Sequence, residues 1–69
     1  MKNLIKVERA KKNWTQEYLA NKIGVSRQSM NAIEAGKFIP STLLALKMAK
    51  VFGTSVESIF QLEKSDTLL

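Results

Sequence analysis

The sequence predicts an all-α domain, a compact bundle of five short helices with a possible short extended segment at its C-terminal end. Three observations carry this reading. The chain holds only three glycines, and Gly24, Gly36 and Gly53 each follow an apolar-periodic segment where a left-handed residue would end a helix. Thr15, Ser26 and Ser41 each stand at the start of such a segment, where a hydroxyl side chain caps the first free amides. No alternating strand pattern with hairpin turn chemistry competes with these helices. At 69 residues the chain has room for one small domain.

The elements follow in order. A first helix is expected near residues 3–12, carrying Leu4 and Ile5 on its apolar side. The second, near 15–23, starts at Thr15 and stops at Gly24. Trp14 precedes its cap and can pack on Leu19 as a hydrophobic staple. The third, near 26–35, starts at Ser26 with Val25 as the staple to Met30, and Gly36 ends it. The fourth, near 41–52, is apolar nearly all round (Leu43, Leu44, Ala45, Leu46, Met48, Ala49, Val51, Phe52), the pattern of a central helix contacted from several sides. The fifth, near 55–61, has two candidate caps, Thr54 with Glu57 as a capping box, or Ser55. Beyond Phe60 the segment QLEKSDTLL has no strong period and admits a short strand, a frayed helix end or no order.

Composition narrows the function. Cysteine and histidine are both absent, which removes disulfides, thiol nucleophiles, most zinc sites and the usual neutral-pH general base. Carboxylates are few and scattered, and no glycine-rich loop cradles phosphate, so an enzyme is disfavoured and no cofactor or metal is expected. No apolar run approaches the roughly 18 residues of a membrane span. The N-terminus is interrupted by Lys6, Glu8 and Arg9, which excludes a signal-peptide core and makes a cytoplasmic protein the default. Residues 1–50 carry ten Lys/Arg against three Glu, whereas residues 51–69 carry one Lys against two Glu and one Asp. A basic body with a slightly acidic tail suits a polyanion on one side and another partner at the C-terminus.

The second and third helices carry the chemistry. Only Gly24 and Val25 separate the end of one from the Ser26 cap of the next, the layout of a helix-turn-helix. Leu19, Ala20 and Ile23 can pack on Met30 and Ile33, with the small Ala20 permitting close approach. Helical spacing then turns Arg27, Gln28, Asn31 and Ala32 to solvent. A helix in a major groove reads base edges with its N-terminal residues, and the types that do so bidentately are Arg or Lys to guanine and Gln or Asn to adenine. Ala32 offers a methyl to thymine. Ser26 and Ser29, at the positive end of the helix dipole, can reach phosphates. Gln16, in the first turn of the preceding helix, lies where a phosphate would pass, and Lys37 and Phe38 supply a cation and a backbone amide for another.

The stretch TQEYLANKIGVSRQSMNAIEAGK, continued by IPSTLLALKMAKVFGTSVESIF, resembles the phage-repressor and Cro-type helix-turn-helix, the xenobiotic-response-element family, over roughly residues 4–60. The resemblance implies a five-helix, lambda-repressor-like DNA-binding domain acting as a dimer on an inverted-repeat operator. Carried over by position, Gln16, Ser26 and Lys37 match backbone-contacting residues, and Arg27, Gln28 and Asn31 match the base-reading face. Arg9 and Glu34 match a pair that forms a structural ion pair between the first and third helices, which makes Glu34 a structural carboxylate. Two positions depart from the pattern. Glu8 stands where relatives often have leucine, and can pair with Lys11 or Lys12 one turn on. Ala32 replaces a longer polar side chain.

Other conspicuous side chains have plainer readings. Trp14 reads as a core anchor rather than a base-stacking aromatic, while Tyr18 is open between the two. Met30 and Met48 are core filler. Lys11, Lys12 and Lys22 are as well explained by a solvated face as by phosphate contact. The expectation is therefore a DNA-binding domain over residues 1–62, with its helix-turn-helix at about 15–35, followed by a tail at 63–69. Its function is that of a repressor of transcription binding double-stranded DNA. Val56, Ile59, Phe60 and Leu62, on the less basic surface, are the candidate homodimer contacts, placing two recognition helices roughly 34 Å apart. The alternative is an interaction module, such as the antitoxin of a toxin pair, holding a protein partner through the C-terminal region.

Overall fold

A computed structural model describes residues 1–67. Five helices form the domain: α1 (Ile5–Lys12), α2 (Gln16–Ile23), α3 (Arg27–Glu34), α4 (Thr42–Phe52) and α5 (Val56–Ile59). Their starts follow the hydroxyl caps. Thr15, Ser26, Ser41 and Ser55 accept the N–H of Tyr18, Ser29, Leu44 and Ser58 respectively, each bond worth about 1 kcal/mol. Ser55 is thus the cap of α5. Gly24, Gly36 and Gly53 all have φ near +75°, between +69° and +81°, the conformation that stops each preceding helix. The end of α1 is made by Asn13, a left-handed residue at φ 57° that needs no glycine because its short polar side chain tolerates that region.

Two ends differ from the sequence expectation for one shared reason. The first helix begins at Ile5 rather than residue 3, and the last stops at Ile59 rather than 61. The residues so released, Lys2–Asn3 (β1) and Phe60–Gln61 (β2), pair antiparallel with Lys2 opposite Gln61 and Asn3 opposite Phe60. The Leu4 N–H extends the pairing by donating to the Ile59 carbonyl at 2.7 Å. Two-residue strands leave no alternation to read, and their stability comes from a partner nearly sixty residues away. After β2 a short 3-10 turn, Lys64–Thr67, closes the described chain. There the Glu63 N–H and the Met1 amino group hydrogen-bond Asp66 and hold its carboxyl below the usual range. The expected tail at 63–69 runs two residues past the described region.

The core is drawn from every helix: Ile5, Leu19, Ala20, Ile23, Met30, Ile33, Met48, Phe52, Ile59 and Phe60 are buried. Its centre is the α2–α3 pair, the most extensively packed elements of the fold. Helix α4 packs against α2 and α5, burying Met48 and Phe52 with Leu44, Ala45, Ala49 and Val51 partly buried against the core, while Leu43 and Leu46 remain 63% and 55% exposed. Two of the candidate dimer contacts, Ile59 and Phe60, are core residues at 0% and 8% exposure, committed to the fold and with almost no surface for a partner. Val56 is partly buried, and of the four candidates Leu62 alone is well exposed.

Candidate nucleic-acid interface

The α2–turn–α3 unit is built from backbone upward. Gly24 and Val25 both donate N–H bonds to the Ala20 carbonyl, at 2.9 and 3.0 Å, so the chain reverses within two residues. Ser26 then caps α3: its hydroxyl accepts the Ser29 N–H at 3.0 Å and donates to the Ser29 hydroxyl at 3.0 Å. The two hydroxyls are thereby engaged with each other. Helix geometry leaves the amides of the first turn, including those of Arg27 and Gln28, without intrahelical acceptors, and these are the groups a phosphate would meet.

With Met30 and Ile33 buried at 0% and 1% exposure, the other face of α3 is set. Arg27, Gln28 and Asn31 line one open concavity on it. Ala32 is partly buried rather than fully turned to solvent. Across the helix pair, Asn31 Nδ2 donates to Gln16 Oε1 at 3.3 Å, which joins the first turn of α2 to the middle of α3. Lys37 and Phe38 stand apart from this cluster, beyond the C-terminal end of α3. The Lys37 N–H is used by the Ala32 carbonyl at 2.9 Å, so Lys37 has its ammonium group to offer.

The orientation of α3 is held from its C-terminal end. Arg9 grips Glu34 in a two-point fork, Nη2 to Oε1 at 2.7 Å and Nε to Oε2 at 3.1 Å, while its Nη1 donates to the Trp14 carbonyl at 2.8 Å. One guanidinium thus ties together α1, α3 and the residue that leads into α2, with its fork geometry matched to a carboxylate. Asn3 adds a second tie: its Nδ2 donates to the carbonyls of Ile33 and Glu34 at 3.1 and 3.3 Å, and its Oδ1 accepts the Ile5 N–H. Trp14 is a core anchor, stacked on Phe52 at 5.5 Å and tilted against Tyr18 at 5.3 Å. The ammoniums of Lys12 and Lys22 rest on these rings, both on Trp14 and Lys22 on Tyr18 as well, at 5.4–5.5 Å. Glu8 pairs with Lys11 at 2.9 Å.

The Helix-turn-helix family profile matches residues 5–59 of the chain. The chain belongs to the helix-turn-helix family. An HTH-type transcriptional regulator of Methanocaldococcus jannaschii is 54% identical over 66 residues, covering 96% of this chain and 100% of that protein. The HTH-type regulator YgzD of Bacillus subtilis is 46% identical, with the same shares of each chain covered. Among solved structures, a chain of the SinR–SinI protein complex superposes with a TM-score of 0.75 at 32% identity, covering 94% of this chain and 63% of that one. A hypothetical transcription factor NHTF from Neisseria gives a TM-score of 0.73 at 28% identity, covering 78% and 61%. This chain therefore spans less than two thirds of both solved chains. It is a DNA-binding helix-turn-helix transcriptional regulator of the Cro-like superfamily, a non-catalytic class.

Two residues that the sequence pattern did not single out lie beside Gln16 and Asn31. Lys6 of α1 lines the same cleft as Gln16 and Asn31 and, among the described residues, has no carboxylate partner. Asn3 borders that cleft too. Neither carries a local signal, because both owe their position to how α1 and β1 lie across α3. No helix of the described chain is long and apolar enough to cross a membrane, and no group of three His, Cys, Asp or Glu could hold a metal ion among the described residues.

Proposed function

We propose that the protein is a sequence-specific repressor that binds an inverted-repeat operator in double-stranded DNA as a homodimer, with α3 in the major groove. The observation that carries this reading is the shared concavity of Arg27, Gln28 and Asn31 on the face of α3 opposite its buried residues. Exposed hydrogen-bonding forks with no packing use are what base-edge reading requires. Arg27, Gln28 and Asn31 read bases, and the Ala32 methyl contacts thymine. Gln16, Lys6, Ser26, Ser29, Lys37 and the Phe38 amide position the helix on the phosphates. Repression follows from occupying the operator and excluding polymerase.

Selection of bound fragments from a random duplex pool tests it. A palindromic motif with half-site centres about one helical turn apart is the expected result. Recovery of no motif, with binding equal for all sequences, would sink the base-reading assignment.

A second reading, an interaction module of the antitoxin kind, draws support from the likeness to a chain whose structure is that of a protein complex, and from the exposed apolar side chains of α4. A partner protein that co-purifies in fixed proportion, together with absence of operator selectivity, would favour it.

A further inference from the structure

The lysines beside Trp14 are held in place. The ammoniums of Lys12 and Lys22 lie over its ring at 5.4 and 5.5 Å from the centroid, and Lys22 lies over Tyr18 as well at 5.5 Å. The indole beneath them is itself fixed, since Phe52 of α4 stacks on it at 5.5 Å and Arg9 Nη1 donates to the Trp14 carbonyl. The left-handed Asn13 turns the chain after Lys12 and so brings the last residue of α1 over the indole. Tyr18 and Lys22, one turn apart on α2, continue the ridge, and Tyr18 is 47% exposed. At about 100° per residue they stand about 160° and 120° round the helix from Gln16, so the ridge faces away from the cleft of Lys6, Gln16 and Asn31. Among the described residues neither lysine forms an ion pair: Lys11 takes Glu8, and Glu17 of α2 pairs with no cation.

We propose that this ridge docks an acidic segment of another protein, with carboxylates on Lys12 and Lys22 and an apolar side chain seated on the exposed part of Tyr18. Charge selects the class of partner. Two ammoniums share one aromatic platform with no carboxylate of the domain to neutralise them, and a carboxylate makes strong, charge-assisted hydrogen bonds to such cations. Their order matters as much. A lysine already resting on a ring loses little freedom when it is bound, so little of the contact energy goes into fixing it. The rings and the lysine stems supply the apolar floor. A nucleic-acid strand fits the ridge less well. Phe52 and the ammoniums take the faces of Trp14, which leaves none open for a base to stack on. Two cations are also few beside the roughly six to ten phosphate contacts of a strongly salt-dependent nucleic-acid binder. The ridge shares no residue with the Arg27–Gln28–Asn31 concavity, so a partner bound here leaves α3 free.

Trp14 is the chain's one tryptophan, so its emission reports the ridge directly. Titration of the full chain with a glutamate-rich peptide carrying interspersed leucines should change that emission to saturation, and the binding should weaken with salt. The same peptide with glutamine for glutamate should leave the emission unaltered. Lys12→Gln with Lys22→Gln alters exposed positions and should keep the helical circular dichroism while weakening peptide binding by about five- to tenfold. Lys12→Arg with Lys22→Arg should retain it. Duplex DNA affinity and its salt slope should be the same in all three proteins, which keeps this result separate from the DNA reading. The assignment is overturned by no response to the peptide, by an equal response to its glutamine counterpart, by binding that ignores the double glutamine change, or by tighter binding of oligothymidylate than of the peptide. A duplex salt slope that falls by about two in the glutamine variant would also overturn it, and would make the two lysines phosphate contacts.

Discussion

Asn31 and Gln16 are hydrogen-bonded across the helix pair at 3.3 Å, linking the middle of α3 to the first turn of α2. The amide of Gln16 accepts from Asn31, and so, under the proposed DNA reading, the side chain assigned to the phosphate would also orient the one assigned to the base. Two contacts joined this way act together. In a double-mutant cycle with operator DNA, Gln16→Ala and Asn31→Ala should each weaken binding, with a coupling of about 0.5–1.5 kcal/mol between them. Strict additivity would show that the bond has no role in the complex.

Arg27 and Gln28 should separate from Lys37 by the kind of binding each supports. Arg27→Ala or Gln28→Ala is expected to cost about 1–3 kcal/mol on the operator and to relax preference at individual base pairs. Lys37→Ala should weaken all sequences alike and lower the slope of log affinity against log salt by about one. Binding assays on operator and random duplex across a salt series check both.

Arg9→Met should destabilise the fold by about 3 kcal/mol. It leaves the Glu34 carboxylate, 8% exposed, without its cation and frees the Trp14 carbonyl. Replacing both partners, Arg9→Met with Glu34→Leu, should recover much of that loss, because no uncompensated charge remains. Thermal denaturation distinguishes the two, and a double variant no more stable than the single would contradict the account.

Asn3 offers a test of how β1 supports α3. Asn3→Asp keeps the acceptor for the Ile5 N–H but removes the donors to Ile33 and Glu34 and adds a negative charge beside two carbonyls. It should cost more stability than Asn3→Ala, whose own loss is about 1–3 kcal/mol. Chemical denaturation of the two variants gives the order.

Much of the fold was legible because its signals are local. Thr15, Ser26 and Ser41 cap helices for reasons contained within three residues, and Gly24, Gly36 and Gly53 end them through their own backbone freedom. The spacing of Met30 and Ile33 chose the buried side of α3, and with it the exposed side on which Arg27, Gln28 and Asn31 lie together. Family membership follows from the same stretch.

Other features depend on partners distant in the chain and leave no local mark. Lys2–Asn3 and Phe60–Gln61 are extended because they pair with each other, which trims α1 and α5 at the ends that propensity would have kept helical. That pairing also draws Ile59 and Phe60 into the core and away from the dimer role that their apolar character suggested. The uniform hydrophobicity of α4 could not reveal which side stays open, since periodicity distinguishes faces only where polar residues mark one of them. Local chemistry thus specified the helices, the limits of α2, α3 and α4, and the exposed face of α3. Long-range packing chose which apolar residues are core, placed Lys6 in the cleft with Gln16 and Asn31, and decided which apolar face is left uncovered.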